Sequence, residues 1–173
     1  MRIVECNEAE YAAPILAILN DAIVSSTALF DYVPRQPESM AEWFRSKEAR
    51  RSPVLGAVDD QGVLLGFATY GPFRLWPAYK YTIEHSVYVH RDHRRRGIAR
   101  ALMARLIAAA EAQDYHVMVA GIDADNAASI ALHVELGFAP AGTIHHAGFK
   151  FGRWLDLAFY ERRLRTPANP VDG

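Results

Sequence analysis

Hydrophobic spacing divides the chain into short segments of differing period. Arg2 to Cys6 reads as a short strand, and from about Glu8 to Ser25 the residues Ile15, Leu16, Leu19 and Ile23 recur at helical spacing. Residues 26–36 carry Phe30, Tyr32 and Pro34 without a period, and Pro37 suits the first turn of a second helix holding Met40, Trp43 and Phe44. Three strands follow, Val54 to Val58, Val63 to Tyr70 and Tyr81 to Val89. Asp59-Asp60-Gln61-Gly62 marks the turn between the first two, and Gly71-Pro72 closes the second. Past His90 the period lengthens again. Ile98, Leu102 and Leu106, with Ala99, Met103 and Ala110, form an apolar stripe of about four helical turns. Tyr115 to Ile122 is a strand, Asp125 to Leu136 a helix stopped by Gly137, and Phe138 to His145 and Arg153 to Tyr160 are two closing strands.

The order β-α-α-β-β-β-α-β-α-β-β predicts an α/β (α+β) fold, and the strand–helix–strand crossover over residues 81 to 122 predicts one parallel pair in a mixed sheet. With 173 residues, the expectation is one domain over 1–164 and a flexible tail over 165–173, where Pro167, Asn169, Pro170 and Gly173 fall. A hydrophobic share of 51% excludes a disordered chain. A formal charge of −1 supplies no global field for nucleic acid or anionic membrane, so such attraction would have to be local. The opening residues carry Glu5, Glu8 and Glu10 where a secretory signal needs an apolar run, and Arg100 and Arg105 break the apolar stretch at 97 to 113. The expectation is a cytoplasmic protein with no membrane partner. Its single cysteine, Cys6, forbids an internal disulfide and is expected to be a packed thiol.

The candidate chemistry lies at Val87-Tyr88-Val89-His90-Arg91-Asp92-His93-Arg94-Arg95-Arg96-Gly97-Ile98-Ala99, where a strand ends, a basic loop follows and a glycine begins a helix. The first N–H groups of a helix have no partner within it and the helix dipole is positive there, so this arrangement seats an anion such as a pyrophosphate. Gly97 lets the chain approach closely, Ala99 keeps the first turn small, and the arginines add charge-assisted bonds. The dinucleotide pattern Gly-x-Gly-x-x-Gly is absent.

Arg94-x-x-Gly97-x-Ala99 resembles the coenzyme A pyrophosphate motif of the GCN5-related N-acetyltransferase (GNAT) superfamily. Asn126, Ser129 and Leu136-Gly137-Phe138 are similar to its second cofactor segment. Thr82-Ile83-Glu84-His85-Ser86-Val87-Tyr88-Val89 and Gly152-Arg153-Trp154-Leu155-Asp156 resemble the phosphinothricin and methionine sulfoximine acetyltransferase group. The resemblance covers residues 1 to 164. It implies a GNAT fold, with a central, mostly antiparallel sheet of about seven strands flanked by about four helices. It also implies acetyl-CoA as cosubstrate, a homodimer, and direct attack by the α-amine of a small amino-acid analogue in a ternary complex. The cofactor residues it implies are Val87, Tyr88, Val89, Arg94, Arg95, Arg96, Gly97, Ile98, Ala99, Arg100, Asn126, Ser129 and His133.

In such a reaction an amine must lose a proton, an oxyanion must be stabilised and a thiolate must gain a proton. Strands that diverge leave backbone groups on which the pantetheine amide can pair at 87 to 89 as a false strand, with an amide near Tyr88 or Val89 facing the oxyanion. Glu84, a carboxylate on a central strand, is either paired structurally or placed to collect the ammonium proton. His85, a further catalytic candidate, points to the opposite face if the strand is regular; a bulge would change that, and it is either catalytic or a satisfied structural histidine. His133 stands where the superfamily often has a tyrosine that acts as acid, so either His133 or solvent protonates the sulfur. Arg74, Leu75 and Trp76 resemble the substrate loop, and Phe30, Glu84, His85 and Ser86 complete the acceptor-binding candidates, with Tyr32 a further wall. Arg74 suits a carboxylate or phosphinate bidentately. Phe149 and Lys150 either reach across the dimer or form an ordinary hairpin tip, and Trp154 and Asp156 are expected to be structural.

Three competing readings stand beside this one. The basic run Arg91 to Arg100 suits a nucleic-acid module, against which the overall charge counts. His90-x-x-His93 and His145-His146 hint at a metal, but no cysteine or acidic partner completes a set, so none is expected. Acetylation of a peptide N-terminus or another amine fits the cofactor motif equally well.

Overall fold

The computed structural model describes residues 1–172. Local chemistry explains where its first elements begin. After β1 (Arg2–Glu5), the Asn7 side chain accepts the Glu10 N–H at 2.9 Å and starts α1 (Glu8–Ser25), whose first turn carries Glu8 and Glu10 at its positive end. The second helix, α2 (Ser39–Ala49), opens later than the proline suggested. Pro37 sits in the preceding turn, where its carbonyl accepts the Met40 N–H at 3.1 Å. The aromatic loop between them is anchored: the Asn20 amide accepts from Arg35 N at 2.8 Å and donates to Arg35 O at 2.9 Å, while Arg35 pairs with Asp31.

The remaining elements are β2 (Val54–Val58), β3 (Leu64–Pro72), β4 (Thr82–Val89), α3 (Ile98–Ala112), β5 (Val117–Asp123), α4 (Ala127–Glu135), β6 (Ala139–Lys150) and β7 (Arg153–Arg163). Hydrogen-bonded strand order is β1-β2-β3-β4-β5-β7-β6. The pairs β1–β2, β2–β3, β5–β7 and β6–β7 are antiparallel, and β4–β5 is parallel. Among the described residues the parallel ladder holds only Thr82↔Val117, Ile83↔Met118 and Glu84↔Val119, although β4 runs on to Val89 and β5 to Asp123.

Contacts group the chain into two compact units, Met1–Gly71 with Ser86–Leu106, and Pro72–His85 with Ile107 onward; the division passes along β4 and α3. In the first, Ile15, Leu16, Ile18 and Leu19 of α1 and Met40 and Phe44 of α2 pack on Val54, Val58, Leu64, Phe67 and Cys6. Trp43 meets Phe44 and Phe67 edge-on, and the Tyr88 ring lies 5.5 Å from that of Phe67. In the second, Ile83, Met118, Ala120, Phe138, Leu155 and Ala158 are buried.

Two expectations change in the second unit. β6 does not stop at His145: its register shifts between Ile144 and Gly148 and the strand then resumes to Lys150, so the broken alternation hides a single long hairpin. Phe149 and Lys150 therefore end a strand, and the turn is Phe151-Gly152. The segment after Leu164, expected to be a flexible tail, is hydrogen-bonded: Thr166 Oγ1 donates to Tyr115 O at 2.6 Å, His116 Nδ1 lies 2.8 Å from Thr166 O, and Val171 N donates to the Tyr81 hydroxyl at 3.1 Å. Gly173 of that expected tail lies outside the described residues.

Gly66 fixes the approach of β3 to the end of β4. A β-carbon there would lie 2.7 Å from Tyr88 O and 3.1 Å from Val89 Cα, both main-chain atoms that cannot rotate aside. Gly66→Ala should therefore destabilise the protein by about 1–3 kcal/mol through strand displacement, read as a lower urea midpoint.

Candidate active site

In the first unit the site residues follow from how β4 hands over to α3. After Val89, the turn Arg91–His93 reverses the chain, Arg95 takes φ 58° and Gly97 takes φ 76°, and α3 begins at Ile98. A β-carbon on Gly97 would meet nothing within 4 Å, so the glycine is required by its left-handed backbone and not by lack of space. The first helical bond of α3 is Ala101 N–H to Gly97 O at 3.1 Å, which leaves the amides of Ile98 and Ala99 ahead of the intrahelical ladder. The Ile98 side chain is buried, so only its main chain can serve an anion. Arg94, Arg95, Arg96 and Arg100 are exposed around this turn. The cluster is partly committed: Arg91 pairs with Asp21 of α1, Arg96 Nη1 lies 3.0 Å from His93 Nδ1, and Arg94 Nε reaches Val89 O at 3.4 Å. Ser86, Val87, Tyr88 and Val89 are half-buried, and Phe30 is 37% exposed in the loop between α1 and α2.

The second unit holds the ionisable candidates. Glu84 Oε1 lies over Gly121 of β5, and Leu157 and Phe159 of β7 flank the same point. Burial pushes the Glu84 carboxyl above its ordinary value, and the Arg74 guanidinium draws it part of the way back. Arg74 is itself exposed, donates to Phe73 O at 2.8 Å and lies 4.1 Å from the Phe73 ring centroid. Phe73 stands edge-on to Tyr79 at 5.9 Å and to Phe159 at 6.4 Å, and Trp76 neighbours Tyr79 at 6.4 Å. Leu75 and Trp76 are exposed.

His85 and His133 come together, on the other side of β4 from Glu84 as strand alternation requires. Their rings stack at 5.0 Å with Phe138 edge-on to both, and the two Nε2 atoms are 3.1 Å apart. His133 Nδ1 lies 2.7 Å from Ser129 O, and since a carbonyl only accepts, that nitrogen carries the proton. A neutral His133 then accepts at Nε2, so His85 donates from its own Nε2 and is left with a bare Nδ1, which is buried without a hydrogen-bond partner. In this arrangement both ring nitrogens of His133 are engaged, which favours solvent over His133 as the acid. His85 is stacked in this box, on the face opposite Glu84 that a regular strand gives it. Asn126 Oδ1 caps α4 by accepting the Ser129 N–H at 3.1 Å.

The model of the Acetyltransferase (GNAT) family matches residues 20–138. The chain belongs to the GNAT acetyltransferase family. This acetyltransferase is 45% identical over 150 residues to an L-methionine sulfoximine/L-methionine sulfone acetyltransferase of Pseudomonas aeruginosa, covering 87% of each chain. A solved acetyltransferase of Salmonella typhimurium, with its cofactor acetyl-CoA, superposes with TM-score 0.94 at 38% identity over 99% of this chain and 98% of that one. A phosphinothricin acetyltransferase of Sinorhizobium meliloti in complex with acetyl-CoA does so with TM-score 0.93 at 30% identity over 99% and 92%.

The residues beside the Glu84 carboxylate that the sequence pattern leaves unmarked are Gly121, Leu157 and Phe159. Cys6 is buried and pushed up to about 12, first by desolvation, which removes it as a nucleophile in this acetyltransferase. Trp154 is exposed and stacks on His146, while Asp156 accepts from His146 N at 2.9 Å and lies 2.7 Å from His145 Nδ1, so it pins the β6 bulge. Among the described residues no cluster of three or more His, Cys, Asp or Glu converges as a metal site, and no helix is long and apolar enough to cross a membrane.

His85 makes the fold sensitive to acid. Burial, then the neighbouring His133, pushes it from 6.5 down to about 3. The unfolded chain therefore binds this proton first, so stability is full above about pH 6.5 and falls as pH drops toward 3. His85→Phe should flatten the loss of urea-denaturation midpoint between pH 7 and pH 5 relative to the parent protein.

Proposed function

We propose that this acetyltransferase moves the acetyl group of acetyl-CoA to the α-amine of a small amino-acid analogue of the methionine sulfoximine, methionine sulfone or phosphinothricin type, by direct attack. The observation that carries the reading is Glu84: a half-buried carboxylate over Gly121, flanked there by Leu157 and Phe159, with its proton affinity raised by burial and tempered by the charge of Arg74. The strong identity to the Pseudomonas relative supports the acceptor class.

Acetyl-CoA supplies the activated thioester. The amides opening α3 at Ile98 and Ala99, with the exposed arginines 94–96 and 100, bind its diphosphate, and the main chain of Val87 to Val89 pairs with its pantetheine arm. Arg74 takes the acceptor's carboxylate or acidic head. Glu84 collects the amine's proton, directly or through one water, and a backbone amide near Tyr88 or Val89 stabilises the oxyanion. Solvent returns the proton to the thiolate. The acetyltransferase works in this reading as a cytoplasmic homodimer, which the exposed apolar side chains of Ile144, Phe149, Phe151 and Trp154 on the last hairpin support.

Thiol release from acetyl-CoA, measured against methionine sulfoximine, methionine sulfone, phosphinothricin, ordinary amino acids and peptides, tests the acceptor class. Turnover with the amino-acid analogues is expected, and turnover confined to peptides overturns the assignment. Glu84→Gln should lower kcat about 10²-fold or more with acetyl-CoA affinity retained. In the parent enzyme the acid limb of kcat/KM should lie above the ordinary glutamate range, since the base must be ionised. Arg74→Ala should raise the acceptor KM about tenfold. It should also move that limb to still higher pH, because it removes the charge that lowers Glu84; an unchanged limb and KM would retire Arg74.

A further inference from the structure

β5 is buried at Met118, Val119, Ala120, Ile122 and Asp123, yet open at Gly121 between them. A glycine inside a strand gives up side-chain packing and adds chain entropy to the unfolded state. Backbone conformation does not explain it here, since Gly121 is not among the positive-φ glycines. Space does. A β-carbon would lie 3.1 Å from Glu84 Oε1, 3.4 Å from Leu157 Cδ1 and 3.8 Å from Phe159 Cε1. The closest of these atoms is the end of the carboxylate. Its cross-strand partner is Phe159, whose ring neighbours Phe73, so the bare backbone lies beside the aromatic wall next to Arg74.

We propose that Gly121 is a positioning residue for the acetyl transfer: its missing side chain is the seat on which the Glu84 carboxylate rests and the floor that leaves room for the acceptor amine. The inference rests on Glu84 being the proton acceptor. The first atom a methyl group meets is the tip of a flexible side chain. The fold therefore absorbs Gly121→Ala cheaply, while the carboxylate must move by a few tenths of an ångström or swing out toward water. Misplacement of a catalytic group on that scale costs turnover steeply.

The test compares parent, Gly121→Ala, Gly121→Val, Glu84→Gln and the Gly121→Ala/Glu84→Gln double variant, each with acetyl-CoA and the acceptor that the thiol-release panel identifies. For Gly121→Ala the melting temperature and acetyl-CoA affinity are expected to match the parent. Its kcat should fall about tenfold or more, and its acid limb should move to lower pH as the carboxylate regains water. Gly121→Val should lose more. In the Glu84→Gln background, Gly121→Ala should cost nothing further, since it acts through a carboxylate no longer present. An equal fold-loss in both backgrounds, or an unmoved acid limb with unchanged kcat, overturns the role of Gly121 while leaving Glu84 in place. A Glu84→Gln enzyme with parental turnover overturns the underlying reading, and this proposal with it.

Discussion

A carboxylate half removed from water on a sheet face costs folding free energy, and Glu84 in the second unit carries that cost as a raised proton affinity. Among the described residues no cation lies within ion-pair distance of Glu84; Arg74 reaches it by field, and is itself engaged with the Phe73 carbonyl and ring. A tight bidentate pair would have lowered the proton affinity of the carboxyl instead. Held at a remove, the guanidinium tempers the effect of burial without abolishing it.

The neighbouring residue on β4 meets the opposite condition. His85 is enclosed by His133 and Phe138, and the tautomers forced by the Ser129 carbonyl make the two imidazoles a neutral, directional pair. This pair joins α4 to β4 by a polar contact in an otherwise aromatic box. Neutrality is what allows it to be buried, because a charged ring would carry a desolvation cost with no counter-ion to offset it.

Much of the fold was legible in the chain. The stripe Ile98, Leu102, Leu106 marks α3 because a long amphipathic period survives any tertiary context, and the strand–basic loop–glycine order marks the turn before it. The parallel pair followed from the crossover. What failed did so for identifiable reasons. The β6 bulge around His145 to Ala147 interrupts alternation, so a continuous strand looked finished. The tail beyond Leu164 looked loose by composition but is tied down by hydrogen bonds to Tyr115, His116 and Tyr81, groups 50 or more residues away along the chain. In the site, Glu84 and Arg74 were visible as chemistry on a strand and its loop. Gly121 and Phe159 were not, since their proximity depends on β5–β7 register, and the His85–His133 contact spans 48 residues.

The outer strand β6 has a last consequence. Twelve residues of free margin would template the addition of foreign strands, but Pro140 lacks a donor and the register slips twice along its length. The margin is thereby cut into stretches too short and too misaligned to recruit another backbone. Copies of this molecule that meet there must do so through protruding rings and aliphatic groups, and a continuous intermolecular sheet is disfavoured by construction.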